Sequence, residues 1–328
     1  MTTIATRIGR LTRAETPATT PMGRIAGSDA IRIEGLTKYY GRVVGLEHLT
    51  LAVPQGVVFG FLGPNGAGKT TTIRLLLDLL KPSAGAAWIG GFDCHQRSVD
   101  ARRLVGYLPG ELPIYPDLTG HGFLRFLAAV GRRPVAAARL EWLLGRFDVS
   151  ETDLRRRMRD YSQGMKRKLG IIQALMTDAP VLILDEPTAG LDPLMIEAFA
   201  ETLHDVVKQS GATVFLSSHV LAEVEKTCDR IALVRRGHLV EVKGVEEIRR
   251  ELPKRVTVEF SMPVNGHLPA VDGVAVVSQG ARSCVLDVRG PLGPLLAAIR
   301  DLPVHDLKIE PTGLEQHVLK FYSDEEAP

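Results

Sequence analysis

The sequence predicts an α/β fold: a parallel core sheet with a small antiparallel β subdomain and a helical subdomain, then a small C-terminal α+β domain. Three observations lead there. Val57-Val58-Phe59-Gly60-Phe61-Leu62 is an unbroken apolar run, as a strand buried on both faces requires. A glycine-rich segment follows it at once, and Ile73, Leu76, Leu77 and Leu80 then recur at helical spacing. Two further apolar runs, residues 181–184 and 213–216, are separated by a helical pattern around 195–209, which is the alternation of a parallel sheet.

The remaining elements fall around that core. Ile31-Arg32-Ile33 alternates as a strand, and residues 49–53 alternate again before the turn Pro54-Gln55-Gly56, which predicts a small antiparallel sheet. The helix after the glycine-rich segment is stopped by Pro82, Ser83 and Gly85. Residues 118–177 alternate charged and apolar groups at helical spacing (Leu124, Leu127, Ala128; Leu140, Leu143, Leu144, Phe147) and predict a helical insertion. Beyond about Val245, short strand patterns at 256–260, 274–278, 285–288 and 307–309, with helices near 294–301 and 314–321, form the α+β unit. There is no internal repeat.

Composition excludes several classes of function. With 328 residues, 45% hydrophobic and 24% charged, the chain is an ordinary globular protein of two-domain size. Its net charge of +2 provides no field for nucleic acid, and none is expected as a partner. The densest basic cluster, Arg155-Arg156-Arg157-Met158-Arg159, lacks interleaved aromatics and is read as a solvated helix end. Three cysteines, Cys94, Cys228 and Cys284, lie far apart and are read as reduced thiols, with Cys94-His95 at the surface. No stretch approaches the roughly 18 apolar residues of a membrane span. Residues 1–28 lack the apolar core of a secretory signal and are read as a disordered tail, with Met22 as an alternative start. The closing Asp324-Glu325-Glu326 is read as a frayed end.

The chemistry is carried first by Gly63-Pro64-Asn65-Gly66-Ala67-Gly68-Lys69-Thr70, followed by Thr71. Its glycines let the backbone curl so that successive N–H groups face one oxygen-rich anion, and the following helix adds its positive end. Lys69 is expected to reach the β- and γ-phosphates of ATP, and the Thr70 hydroxyl to hold Mg²⁺. Leu184-Asp185-Glu186-Pro187 then closes a buried strand with two carboxylates, which are costly to bury unpaired. A metal and a water account for both: Asp185 holds Mg²⁺ and Glu186 polarises the water that attacks the γ-phosphate. Alone, such a pair at a strand end is more often a solvated loop; the phosphate loop upstream favours the catalytic reading.

With these motifs in this order, the chain resembles the nucleotide-binding subunit of an ATP-binding cassette (ABC) transporter, a P-loop NTPase, over roughly residues 30–240. The resemblance implies further roles. Tyr40, before Gly41, matches the aromatic that stacks on adenine. Tyr161-Ser162-Gln163-Gly164-Met165 resembles the family's signature motif, in which Ser162 and Gly164 face the γ-phosphate held by the other subunit of a dimer. From the residues themselves, Ser162 is a helix N-cap and Gly164 permits close approach, ahead of an apolar face of Met165, Leu169, Ile172 and Met176. Ala189-Gly190-Leu191-Asp192 resembles the loop that crosses the dimer seam, and Ser217-Ser218-His219 the switch histidine at the γ-phosphate.

The domains implied are a tail over 1–28, a nucleotide-binding domain over 29–245 with its helical subdomain at about 105–178, and an accessory domain over 246–328. The partners implied are a second copy of the chain or a homologous cassette, and a multi-span membrane permease whose coupling helix meets residues 110–122. That places the chain in the cytoplasm, peripheral on the inner face of the membrane. The C-terminal unit, with Ile309-Glu310-Pro311-Thr312-Gly313-Leu314-Glu315, is similar to extensions of drug, antibiotic or lipid exporters. A soluble ABC ATPase acting on ribosomes or DNA is the competing class, although such proteins usually carry two cassettes or a long coiled coil. A regulator without turnover is disfavoured by intact Lys69, Asp185, Glu186 and His219.

Two departures from the family pattern stand out. Gly110, followed by Glu111, occupies the place where relatives carry a metal-touching glutamine, and Gln163 and Met165 replace the usual signature residues. At Gly110, metal coordination and coupling to the membrane partner are the properties expected to differ; for the signature, altered kinetics rather than lost hydrolysis is the expectation.

Overall fold

The computed structural model describes residues 28–113, 115–131, 133–264 and 270–313. They belong to two compact units that divide between Val242 and Lys243. The expected N-terminal tail, apart from Ser28, and the expected helix near 314–321 lie outside the described residues.

The first unit begins with β1 (Asp29–Tyr40) and β2 (Val43–Pro54), an antiparallel pair. Next come β3 (Val58–Leu62), α1 (Lys69–Leu76), β4 (Ala84–Ile89), β5 (Phe92–Asp93), α2 (Ser98–Arg103) and β6 (Val105–Leu108). Helices α3 (Gly120–Gly131), α4 (Ala137–Arg146), α5 (Glu151–Arg155) and α6 (Gln163–Leu175) follow. The chain then returns through β7 (Val181–Asp185), α7 (Pro193–Ser210), β8 (Thr213–Ser218), α8 (Leu221–Thr227), β9 (Arg230–Arg235) and β10 (His238–Gly244). Strands β1, β2, β4 and β5 make one sheet in the order β2-β1-β4-β5. The core sheet runs β10-β9-β3-β8-β7-β6, with β9, β3, β8, β7 and β6 parallel to one another.

Every residue of β3, β7 and β8 is buried, the reason these strands carry unbroken apolar runs rather than alternation. Phe215 on β8 stacks on Phe59 and tilts against Phe61, which locks β8 to β3 in the centre of the sheet. Helix α7 is bounded by ordinary punctuation: Asp192 caps it by accepting from the Met195 N–H at 3.0 Å, Pro193 opens it, and Gly211 closes it at φ 68°.

Three expectations are corrected. Strand β6 pairs with β7 and so belongs to the core sheet; the helices of the predicted helical subdomain begin at Gly120, not at 105. Helix α1 stops at Leu76, although the apolar pattern runs to Leu80. Asp78 adopts left-handed backbone at φ 54°, and the Leu79 and Leu80 amides both turn back to the Arg74 carbonyl, which closes the helix early. Cys94 is buried, not at the surface, and only His95 is exposed, its Nδ1 2.7 Å from Asp78 Oδ1.

The second unit holds α9 (Val245–Glu251), β11 (Lys254–Phe260), β12 (Val274–Gln279), β13 (Ser283–Val288), α10 (Gly293–Ile299) and β14 (Val304–Pro311). Its sheet is antiparallel in the order β12-β13-β11-β14. Alternate residues Val256, Val258 and Phe260 of β11 and Cys284, Leu286 and Val288 of β13 point to one face, where Leu295 and Ile299 of α10 cover them.

Candidate active site

The glycine-rich loop sits between β3 and α1, and two of its glycines are required by contact. A Cβ on Gly63 would stand 2.4 Å from the Val234 carbonyl oxygen. Gly68, at φ 103°, begins α1, and a Cβ there would stand 2.7 Å from the Gly45 carbonyl oxygen. Lys69 is 5% exposed, and its ammonium donates to the Gly63 carbonyl at 2.7 Å and the Pro64 carbonyl at 3.1 Å. Burial pushes the Lys69 pKa down, while Glu186 and then Asp185 pull it back.

Two carboxylates close β7 at the mouth of this loop. Asp185 is 2% exposed; its Oδ2 accepts from the Thr70 hydroxyl at 3.1 Å and its Oδ1 from the Ser217 hydroxyl at 2.5 Å. A hydroxyl and a carboxylate thus converge from different segments, the hard oxygen donors that suit Mg²⁺ when substrate phosphates supply the rest. Glu186 takes a left-handed backbone at φ 47°, unusual for a residue with a Cβ. Its N–H donates to the Ser217 carbonyl at 3.2 Å and hydroxyl at 3.0 Å. Its Oε1 lies 3.1 Å from His219 Nδ1 and 3.6 Å from Lys69 Nζ. Lys69, Thr70, Asp185, Glu186 and His219, scattered over 150 positions, therefore form one cluster.

Other predicted residues are placed around it. The Tyr40 ring is exposed, a Cβ on Gly45 would meet its Cε2 at 2.6 Å, and its hydroxyl lies 3.4 Å from Thr71 Oγ1. Lys38 Nζ stands 5.5 Å from the ring centroid. Ser162 caps α6 as expected, its hydroxyl accepting from the Met165 N–H at 3.2 Å. Gly164 packs against the loop before Asp192: a Cβ on it would stand 3.1 Å from the Gly190 carbonyl oxygen. The start of α6 at Gly164 and the loop at Gly190 thus meet. Gly110 faces the acid pair, since a Cβ there would stand 3.3 Å from Asp185 Oδ2. Glu111 is exposed.

The arginines of the basic cluster at 155–159 are exposed and pair with nearby acids: Arg155 with Glu151, Arg156 with Asp153, and Arg157 and Arg159 with Asp117. A buried arginine lies elsewhere. Arg167, on α6 and 5% exposed, was not singled out by sequence. Its Nε donates to the Pro187 carbonyl at 3.0 Å, and its Nη1 to Pro109 and Gly110 at 2.9 and 3.1 Å. Its Nη2 donates to the carbonyls of Asp185, at 3.1 Å, and Glu186. A signal existed: α6 buries a second face of Gly170, Ile171 and Ala174, and Arg167 is the charged residue on it.

Comparison with known proteins agrees with this geometry. Residues 46–189 match the family model described as ABC transporter. A bacitracin transport ATP-binding protein of Enterococcus faecalis is 36% identical over 70% of this chain and 74% of its own. A daunorubicin resistance ATP-binding protein of Streptomyces coeruleorubidus is 38% identical over 68% of this chain and 70% of its own. An uncharacterized ABC transporter ATP-binding protein of Nostoc is 41% identical, covering 63% of this chain, which spans 62% of that relative. Among solved structures, an ATP-binding subunit of an ABC transporter superposes with a TM-score of 0.61 at 32% identity, over 67% of this chain and 92% of that one. The chain therefore belongs to the ABC transporter family, as an ATP-binding subunit that hydrolyses ATP.

Proposed function

We propose that this chain is the energy-supplying subunit of an exporter: two copies close around two ATP molecules with Mg²⁺, and the closure drives a separate membrane permease. The observation that carries the proposal is the convergence of Lys69, Glu186 and His219 on one another beside the Thr70–Asp185 pair. In this reading Lys69 and the loop amides bind the β- and γ-phosphates, and the Tyr40 ring stacks on adenine. Glu186 accepts hydrogen bonding from the attacking water, and His219 contacts the γ-phosphate. Thr70 and Asp185 hold Mg²⁺, which neutralises phosphate charge. Ser162 and Gly164 complete the site of the second copy, in keeping with their place together at the start of α6.

Antibiotic or drug-like cargo is supported by the relatives named for bacitracin transport and daunorubicin resistance. No described helix is long and apolar enough to cross a membrane, so translocation is assigned to the permease, with this chain peripheral on its cytoplasmic side. A docking face is supported by a groove lined by Val99, Arg102, Arg103, Tyr107, Val130 and Arg133. Arg133 Nη1 and Nη2 are buried there without a hydrogen-bond partner. The second unit is assigned as the accessory domain. Co-purification with a multi-span membrane protein, and efflux lost in a Glu186→Gln strain, tests the proposal; a complex with ribosomes or DNA in its place contradicts it.

A further inference from the structure

We propose that Arg167 is the positioning residue for Glu186: its guanidinium clamps the left-handed backbone that aims the Glu186 carboxylate at His219 and Lys69. The inference rests on the reading of Glu186 as the residue that polarises the attacking water.

The geometry is specific. At φ 47° the Glu186 backbone lies in a region that a residue with a Cβ avoids, and such a conformation persists only where its surroundings over-determine it. Both sides of the residue are held. Its N–H is fixed by the Ser217 carbonyl and hydroxyl at 3.2 and 3.0 Å. Its C=O, and the carbonyls of Asp185 and Pro187 on either side, all accept from Arg167. Three consecutive carbonyls are therefore gathered by one planar fork, while Nη1 gathers Pro109 and Gly110 on the facing loop.

Only arginine meets this requirement. Its guanidinium presents five donors in a fixed plane, and five carbonyls receive them; a lysine ammonium presents three from a single atom. None of the five bonds goes to a carboxylate. The charges of Asp185 and Glu186 therefore stay free for the metal and the water, with the cation held behind them. Burial pushes the Arg167 pKa down, and the two nearby carboxylates oppose that shift. Because Arg167 lies five positions after Ser162 on α6, the same side chain fixes that helix to the acid pair.

The test compares Arg167→Lys and Arg167→Gln with the parent protein and with Glu186→Gln, reading ATP turnover, binding of a fluorescent ATP analogue, melting temperature and backbone amide exchange. A displaced Glu186 carboxylate predicts that kcat falls about 100-fold, as for a misplacement of roughly 1 Å, with KM and analogue affinity changed by less than about threefold. Amide exchange rises over 185–188 and not across β3 or α7. Arg167→Lys keeps the charge and three donors, so it carries the test if Arg167→Gln does not fold. Turnover within about twofold of the parent overturns the proposal, as does a fall in kcat matched by an equal loss of affinity and of melting temperature. The Glu186→Gln control separates the two levels: full activity there removes Glu186 from the chemistry and the proposal with it. Loss of activity there, beside active Arg167 variants, overturns the role of Arg167 alone.

Discussion

His219 Nδ1 lies 3.1 Å from Glu186 Oε1, the same oxygen that stands 3.6 Å from Lys69 Nζ. One carboxylate oxygen is thus shared between an exposed imidazole and a buried ammonium. The two partners differ in surroundings, and their removal is expected to have different effects. Lys69→Met deletes a buried cation that serves phosphate binding, so the ATP dissociation constant should rise roughly 30- to 160-fold, the loss of about 2–3 kcal/mol for a charge-assisted contact. His219→Ala should leave binding nearly intact and lower kcat about 100- to 1000-fold, as removal of one transition-state donor does. Titration with a fluorescent nucleotide beside steady-state turnover distinguishes them.

Gly110 yields a prediction in the opposite direction. Its φ is not positive, and a Cβ there would lie 3.3 Å from Asp185 Oδ2, a contact the carboxylate relieves by a small rotation. Gly110→Gln should therefore fold normally. Its amide oxygen adds a donor beside Thr70 and Asp185, so the Mg²⁺ concentration giving half-maximal turnover should fall about fivefold, the equivalent of one hydrogen bond of about 1 kcal/mol. An unchanged Mg²⁺ dependence means the side chain does not reach the metal.

The thiols supply a test of packing. Cys94, Cys228 and Cys284 are all buried and unbridged, and burial pushes Cys94 up to about 12 and raises the other two. Native protein should resist thiol reagents at pH 8, and all three should react once it unfolds. The sign of the pH effect follows from the raised folded pKa values. Unfolded thiols ionise near pH 8.5, whereas the folded ones stay protonated, so this contribution is complete below about pH 8 and is lost as pH rises toward 12. Urea midpoints measured between pH 8 and 10 should decline, and less steeply in Cys94→Ala.

Much of the first unit was legible because its signals are local. The loop at 63–70, the buried strands and the cap at Ser162 each declare themselves within a few residues. The misses are non-local. Arg167 donates to carbonyls as far as 58 positions away, and since every residue carries a carbonyl, no sequence pattern marks an acceptor. Cys94 looked exposed beside His95, yet it packs in the cluster with Leu76, Leu77 and Ala101, a burial set by tertiary contact. The end of α1 depended on Asp78 adopting left-handed backbone, which its composition permits but does not require.

The central claim is that Glu186 acts in hydrolysis within a site completed by Ser162 and Gly164 of a second copy. Size-exclusion chromatography with light scattering on Glu186→Gln, with Mg²⁺ and ATP, tests it most directly. The account predicts a stable dimer that forms only with ATP, retains two uncleaved nucleotides, and is abolished when Ser162→Arg is added. A Glu186→Gln protein that stays monomeric at saturating ATP, or that hydrolyses ATP at the parent rate, contradicts it.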